Sequence, residues 1–142
     1  MTQRMPTGCE VRRLTARGDH RGSLIAIEGS RDIPFDVARV YYLFDTTPGE
    51  ARGFHAHRRL RQCAICVAGS CRMVLDDGRV RTTVVLDDPA TALLIGPSIW
   101  REMHDFTPGT VLMVLADQIY DESDYIRDYA AFRAAMNDGE VT

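Results

Sequence analysis

Two histidines separated by one residue, His55 and His57, are the side chains best suited to chemistry in this sequence. They lie in the segment GFHAH, residues 53–57, whose composition is typical of a β-strand. On a strand, residues two apart project from the same face. An imidazole ionises at about pH 6.5, so it can accept and return a proton near neutrality, and it is a common metal ligand. The pair predicts acid–base chemistry or metal binding on one sheet face.

The elements that must position these histidines are short apolar runs separated by Gly, Pro and Asp turn residues. The runs lie at residues 23–27, 40–44, 53–57, 63–67, 71–75, 80–86, 91–95, 99–106 and 110–116. Short strands at this spacing are typical of an all-β sandwich or barrel. We find no repeat or linker, so residues 1–142 are predicted to form a single domain.

The carboxyl-terminal segment has a different periodicity. Ser123 can cap a helix, and apolar residues then recur at spacings of three and four, at Ile126, Tyr129, Ala130 and Phe132. The acidic residues at 121, 122 and 124 would favour the dipole of that helix. The fold class predicted is therefore all-β with a short C-terminal helix.

Composition excludes several classes of function. All 17 basic residues are arginine, which excludes Schiff-base chemistry and lysine-dependent phosphate loops. With 20 acidic residues the net charge is −3, and no basic arm is present, so no nucleic-acid partner is expected. No apolar run approaches the roughly 20 residues of a membrane span. Residues 1–10 do not resemble a signal peptide, so a cytoplasmic protein without a membrane partner is expected.

The four cysteines predict neither a metal site nor a disulfide. Cys63 and Cys66 form a C-x-x-C pair, but on a strand residues three apart point to opposite faces. We expect both of them, together with Cys9 and Cys71, to be buried reduced thiols.

The segment around the histidines resembles the first motif of the cupin superfamily. It has the pattern G-x5-H-x-H-x4-Q-x6-G from Gly49 to Gly69, with Gln62 where cupins usually have glutamate. This resemblance implies a cupin-type jelly-roll barrel. Metal-binding cupins also use a histidine from a second motif, and here Glu102 stands at that position. Because a neutral amide is a poor ligand, no metal is expected, although Glu102 or His104 would be the residues to complete a site.

A narrower resemblance covers about 110 residues. Six blocks are similar to the nucleotide-sugar 3,4-ketoisomerases: RGSLIAIE at 21–28, PFDVARVYYLFDT at 34–46, RGFHAH at 52–57, LDDG at 75–78, IGPSIW at 95–100 and YDESDYIRDYAAF at 120–132. The resemblance implies a homodimer that moves the ketone of dTDP-4-keto-6-deoxyglucose from C4 to C3 in deoxyaminosugar biosynthesis. An exchanged amino-terminal strand is one way in which such a dimer could form.

The chemistry of this reaction suits the histidines and needs no cofactor. A base removes the C3 proton, an enediol forms, and a proton returns at C4. The resemblance assigns the base to His55 and a proton relay between the two sugar oxygens to Tyr41. His57, on the same face, would orient the substrate or donate to the enediolate.

The remaining candidates are substrate-binding residues. Arg39 and Arg52 are predicted to bind the diphosphate, because guanidinium groups pair well with phosphate. Trp100 and Phe106 are candidates for stacking on the base or the sugar. Gln62, in the first motif, is also counted among the substrate-binding residues.

Arg21 and Arg101 are predicted to line the mouth of the cavity. There they would influence which face of C4 is protonated, and so whether the gluco or the galacto product forms. Three alternatives to the ketoisomerase remain open at this stage: a cupin nucleotide-sugar epimerase, a metal-dependent cupin such as a dioxygenase, and a non-catalytic sugar-binding cupin.

Overall fold

The structure, a computed structural model, describes residues 3–138. Twelve strands are present among them: β1 Glu10–Arg13, β2 Arg17–Asp19, β3 Gly22–Leu24, β4 Arg39–Leu43, β5 Arg52–His57, β6 Gln62–Ala68, β7 Cys71–Asp76, β8 Arg81–Leu86, β9 Thr91–Ile95, β10 Trp100–His104, β11 Val111–Ala116 and β12 Tyr125–Ile126. One α-helix, α1 Tyr129–Asp138, follows them. The prediction of an all-β fold with a short C-terminal helix is confirmed.

The strands form two antiparallel five-stranded sheets. The first has the order β1-β9-β6-β11-β4 and the second the order β12-β5-β10-β7-β8. No strand pairing joins the two sheets within residues 3–138, so the jelly roll is an open sandwich and the barrel is not closed. Strand β1 lies at the edge of the first sheet, where it pairs with β9.

The main apolar core lies between the two sheets. It combines inward side chains of β6, β9 and β11 with those of β7, β8 and β10. A second cluster covers the outer face of the first sheet, and a third lies between the second sheet and α1. Cys63 belongs to the second cluster and Cys66 to the main core, so the two thiols lie on opposite faces of β6 as predicted. All four cysteines are buried and free.

The carboxyl-terminal segment departs from the helix predicted for it. Asp121, and not Ser123, is the cap, and it caps only a short 3-10 turn at Glu122–Asp124. Tyr125 and Ile126 are then extended because they pair with β5 as strand β12. The helix begins only at Tyr129, where the carboxylate of Asp128 accepts a hydrogen bond from the backbone N–H of Ala131.

The prediction of a strand at 23–27 also needs correction. Strand β3 ends at Leu24 and forms a separate two-stranded hairpin with β2. Ile25 and Ile27 leave the hairpin and pack against the second apolar cluster. Across residues 3–138, no helix has the length and the apolar character that a membrane crossing requires.

Candidate active site

A cavity of about 370 Å³ opens between the two sheets beside β5. Its lining comes from β4, β5, β10 and the segment that contains β12: Tyr41, Tyr42, Leu43, Arg52, Gly53, His55, Met103, Tyr125 and Arg127. Three predicted site residues, Tyr41, Arg52 and His55, are therefore brought together here.

A bulge in β5 lies directly before His55. His55 pairs with Arg101 of β10, but the next pair joins Gly53 to Glu102, which leaves Phe54 as the extra residue. Gly53 and Phe54 have φ angles of 91° and 59°. A Cβ atom on Gly53 would lie 3.0 Å from the carbonyl oxygen of Arg101, so glycine lets the two strands approach.

The two imidazoles lie on one face of β5, as the spacing predicts. Their ring centroids are 5.0 Å apart, and Tyr125 packs against both, at 5.0 Å from His55 and 4.3 Å from His57. Their exposure differs: His55 is half-buried and lines the cavity, whereas His57 is buried behind it. His57 is therefore not among the side chains that line this cavity.

Burial and positive charge keep both histidines neutral. Desolvation, followed by the nearby Arg101 guanidinium, lowers the pKa of His55 to about 4. The same two causes, in the same order, lower the pKa of His57 to about 2. At neutral pH the imidazole of His55 is therefore unprotonated and able to accept a proton.

Tyr41 approaches the cavity from the opposite sheet. Its hydroxyl oxygen accepts a hydrogen bond of 3.0 Å from Nε2 of Gln62. Burial raises the pKa of Tyr41, so the phenol keeps its proton at neutral pH. The site thus combines a neutral imidazole on one sheet with a protonated phenol on the other.

Arginines surround the entrance. Arg52 is exposed on the cavity wall. The guanidinium of Arg39 lies over the rings of Tyr41 and Tyr120, at 5.5 Å and 5.8 Å, and its buried Nε has no hydrogen-bond partner among residues 3–138. These two cations make the entrance suitable for an anionic group.

Arg101 does not lie at the mouth of the cavity, where it was expected. It is buried, and its guanidinium donates to the carbonyl oxygen of Ile99 and to Oε1 of Gln62. Arg101 lies on β10, which pairs with β5. Its side chain alternates with the outward-facing Trp100 and Glu102, so it points into the sandwich. Arg21 is in the exposed hairpin of β2 and β3, where it pairs with Asp19, and it does not reach the cavity of its own chain.

The two aromatic candidates for stacking also lie elsewhere. Trp100 faces the other side of β10, where it packs against Tyr129 and Phe132 and donates its indole N–H to Glu102. Phe106 is part of the main core. Gln62 is buried beneath Tyr41 and does not line the cavity.

The arrangement does not suit a metal ion. Glu102 and His104 lie on the outer face of β10 and bond to each other, so they do not complete a site with the histidine pair. Residues 3–138 contain no group of three His, Cys, Asp or Glu side chains placed to hold an ion. The buried guanidinium of Arg101 would also repel a divalent cation beside the imidazoles.

Sequence reasoning missed the contribution of the segment 122–127. Asp124 is buried and bonds to His57, Tyr125 lines the cavity, and the guanidinium of Arg127 stacks on Tyr125 at 4.1 Å. Glu122 in turn holds Arg127 through two hydrogen bonds of 2.7 Å and 2.8 Å. The block YDESDYIRDYAAF carries the available signal, because it matches the ketoisomerases, whereas the sequence alone assigns its acidic residues only to the dipole of a predicted helix.

Comparison with known families identifies relatives of the whole domain. The family model described as "WxcM-like, C-terminal", or FdtA, matches residues 7–137. The chain belongs to this family. The resemblance to sugar 3,4-ketoisomerases is confirmed by the relatives of this WxcM-like chain.

One curated relative is the TDP-4-oxo-6-deoxy-alpha-D-glucose-3,4-oxoisomerase of Aneurinibacillus thermoaerophilus. It is 55% identical over 115 residues, which cover 81% of this chain and 83% of the relative. A solved structure of similar fold is a mutant of the 3,4-ketoisomerase QdtA from Thermoanaerobacterium thermosaccharolyticum in complex with TDP-4-keto-6-deoxyglucose. It is 40% identical to this chain, with a TM-score of 0.92. The match covers 94% of this chain and 97% of the QdtA chain.

A third relative is also named as a sugar 3,4-ketoisomerase. The TDP-quinovose 3,4-ketoisomerase WlaRB of Campylobacter jejuni is 44% identical, with a TM-score of 0.88 and coverage of 91% of this chain and 99% of its own. The 3'-monoepimerase ChmJ of Streptomyces bikiniensis is only 21% identical, with a TM-score of 0.73, and shows the shared fold alone.

Proposed function

We propose that this chain is an isomerase that moves the keto group of dTDP-4-keto-6-deoxy-D-glucose from C4 to C3, as a step in deoxyaminosugar biosynthesis. The observation that carries the proposal is the placement of His55, a neutral imidazole, and Tyr41, a protonated phenol, in one cavity. The named activities of relatives at 40–55% identity support the same reaction.

The proton transfers balance without a cofactor. His55 takes the proton from C3 while Tyr41 gives its phenol proton to the oxygen on C4, and an enediol results. The hydroxyl on C3 then returns a proton to the phenolate of Tyr41. The imidazolium of His55 delivers its proton to C4, which leaves the ketone at C3 and both side chains in their starting states.

The diphosphate is the part of the substrate that the entrance would hold. We propose Arg52 and Arg39 as its ligands, because both present guanidinium groups beside the cavity and the Nε donor of Arg39 is free among the described residues. Guanidinium groups bind phosphate oxygens through paired, charge-assisted hydrogen bonds. In this arrangement the reactive sugar lies deeper, between His55 and Tyr41.

We also propose that the active form is a homodimer in the cytoplasm. Strand β4 is an edge strand, and Val40 and Tyr42 on it and Phe44 just after it are all exposed. An exposed apolar row of this kind commonly marks a protein interface. Light scattering of the wild type and of Tyr42→Arg tests the dimer, which the charged side chain should weaken.

The proposed compartment rests on the cysteines. The four free thiols fit a reducing compartment.

The reaction is tested by proton NMR of dTDP-4-keto-6-deoxyglucose in deuterated buffer, with His55→Asn as the control. We expect the wild type to form a 3-keto species and the variant to form none. Deuterium enters at C4 only to the extent that the imidazolium of His55 exchanges its proton with solvent before it protonates the sugar. The coupling between H4 and H5 in product formed in ordinary water gives the face of protonation. Exchange at C3 or C5 without migration of the ketone would indicate an epimerase instead, and a ketone that stays at C4 without any exchange would refute the proposal.

A further inference from the structure

A buried hydrogen-bonded chain of three side chains crosses the sandwich below the cavity. Arg101, on the second sheet, donates through Nη1 to Oε1 of Gln62 on the first sheet. Gln62 then donates through Nε2 to the hydroxyl oxygen of Tyr41, at 3.0 Å. Arg101 and Gln62 are 1% and 2% exposed, so water does not compete for these bonds.

The guanidinium of Arg101 fixes the direction of both hydrogen bonds in this series. A guanidinium has only donors, so the amide of Gln62 must present its oxygen to Arg101. The amide nitrogen, which has only donors, must then face Tyr41. The phenol oxygen therefore accepts from Gln62, and its single hydrogen is left to point away from Gln62.

From this geometry we infer that Gln62 is a positioning residue: oriented by Arg101, it makes the hydroxyl of Tyr41 an acceptor on its buried side and so directs the phenol proton into the cavity. The inference rests on the proposed function, because it is the bound sugar that this proton would meet. It also replaces the expectation that Gln62 binds substrate, since Gln62 does not line the cavity.

This series of hydrogen bonds explains why an amide, and not a carboxylate, suits position 62. A glutamate at 62 would pair with Arg101 at least as well, because the two would form a buried ion pair. It would offer Tyr41 only an acceptor, however, so the phenol would turn its proton toward the carboxylate and away from the cavity. A methionine would leave the phenol proton free to rotate but would leave Arg101 with one partner fewer.

Two substitutions of similar size therefore separate positioning from structural support. We expect Gln62→Glu to lower kcat about 100-fold and Gln62→Met about 10-fold, with KM for dTDP-4-keto-6-deoxyglucose within about threefold of wild type. Thermal unfolding should rank them in the opposite order, with Gln62→Met the less stable. If Gln62→Met loses more activity than Gln62→Glu, the residue merely supports Arg101 and the inference is wrong.

A double variant tests the route through Tyr41. In a Tyr41→Phe background the substitution Gln62→Glu should cost less than about threefold further activity, because no phenol proton remains to direct. An independent loss of about 100-fold in that background would overturn the inference.

A second readout does not depend on turnover. In protein labelled with 13C at the tyrosine Cζ, Tyr41→Phe identifies the Tyr41 signal, and Gln62→Glu should raise the pH at which that signal titrates. A signal unmoved by Gln62→Glu would refute the contact. Failure of the proposed function is distinct from either result, since it would appear as an inactive wild type.

Discussion

The Nδ1 atom of His57 lies 3.2 Å from Oδ2 of Asp124, 67 residues further along the chain, and both side chains are buried. Asp124 also accepts hydrogen bonds from the backbone N–H groups of Arg59 and Leu60. Because a carboxylate oxygen only accepts, Nδ1 of His57 carries the proton and donates a third hydrogen bond to Asp124. The contact fixes the tautomer of His57 and ties the carboxyl-terminal segment to β5.

Asp124→Asn should lower both stability and activity. The asparagine amide replaces one acceptor by a donor, so an N–H group is left facing another donor or His57 must change tautomer. We expect the free energy of unfolding to fall by about 1–3 kcal/mol in urea denaturation and kcat to fall at least about tenfold. Asp121→Asn is the matched control, because Asp121 is exposed and asparagine also caps well. Equal effects from both variants would contradict this role.

Lowering the pH from 7 to 5 should destabilise the folded protein, although most carboxylates titrate only at lower pH. The pKa values of His55 and His57 are held at about 4 and about 2, below the ordinary value, so the unfolded chain binds protons first as the pH falls through 6.5. The free energy of unfolding should therefore decrease from pH 7 to pH 5, by up to about 1.4 kcal/mol per pH unit for each histidine. His57→Asn should flatten this slope, and a slope unchanged in that variant would count against the burial of the histidine.

Arg52→Gln should weaken substrate binding with little effect on the chemical step. Arg52 lines the entrance but lies on the far side of the bulge from His55. Loss of a charge-assisted contact to phosphate should raise KM about tenfold or more while kcat changes less than about threefold. Arg31→Gln is the control, since Arg31 is exposed and pairs with Glu28. A fall in kcat at unchanged KM would place Arg52 in the proton-transfer step instead.

Gly53→Ala should be more damaging than Gly49→Ala. Both glycines have positive φ angles, 91° and 80°, so alanine meets a comparable backbone penalty at each. Only at Gly53 would the new Cβ approach another strand, at 3.0 Å from the Arg101 carbonyl oxygen, whereas nothing lies within 4 Å at Gly49. We expect Gly53→Ala to cost at least about 1 kcal/mol more in urea denaturation and to reduce kcat, because the clash displaces β5. Equal losses at the two positions would show that only the backbone conformation matters.

The sequence predicted the strands better than the segment that follows them. Strand β9 was placed correctly, and β6 and β7 within a residue or two, because turn residues bound each of these runs. The spacing of Ile126 from Tyr129 predicts a helix that begins just after Ser123. Pairing of a two-residue strand with β5 overrides that spacing, and such short pairing leaves no periodic signal.

The same limit applies to the candidate site. The spacing of His55 and His57 was sufficient to put both imidazoles on one face, because alternation is a local property of a strand. Local spacing did not reveal which of the two is exposed, since that depends on Tyr125 and Asp124 from a distant segment. For Arg101, alternation along β10 puts the side chain on the same face as Met103, but only the packing of the two sheets shows that this face is the buried one.

The open sandwich affects how the two side chains that would transfer protons are held relative to each other. His55 and Tyr41 belong to different sheets, and no backbone hydrogen bond joins those sheets within residues 3–138. The separation of the two proton-transferring groups therefore depends on the thickness of the apolar core, and the hydrogen bond from Arg101 to Gln62 also links the two sheets. The distance between the imidazole and the phenol is in this sense a property of the core, because buried side chains remote from the cavity, such as Leu112, fill the space that separates the two sheets.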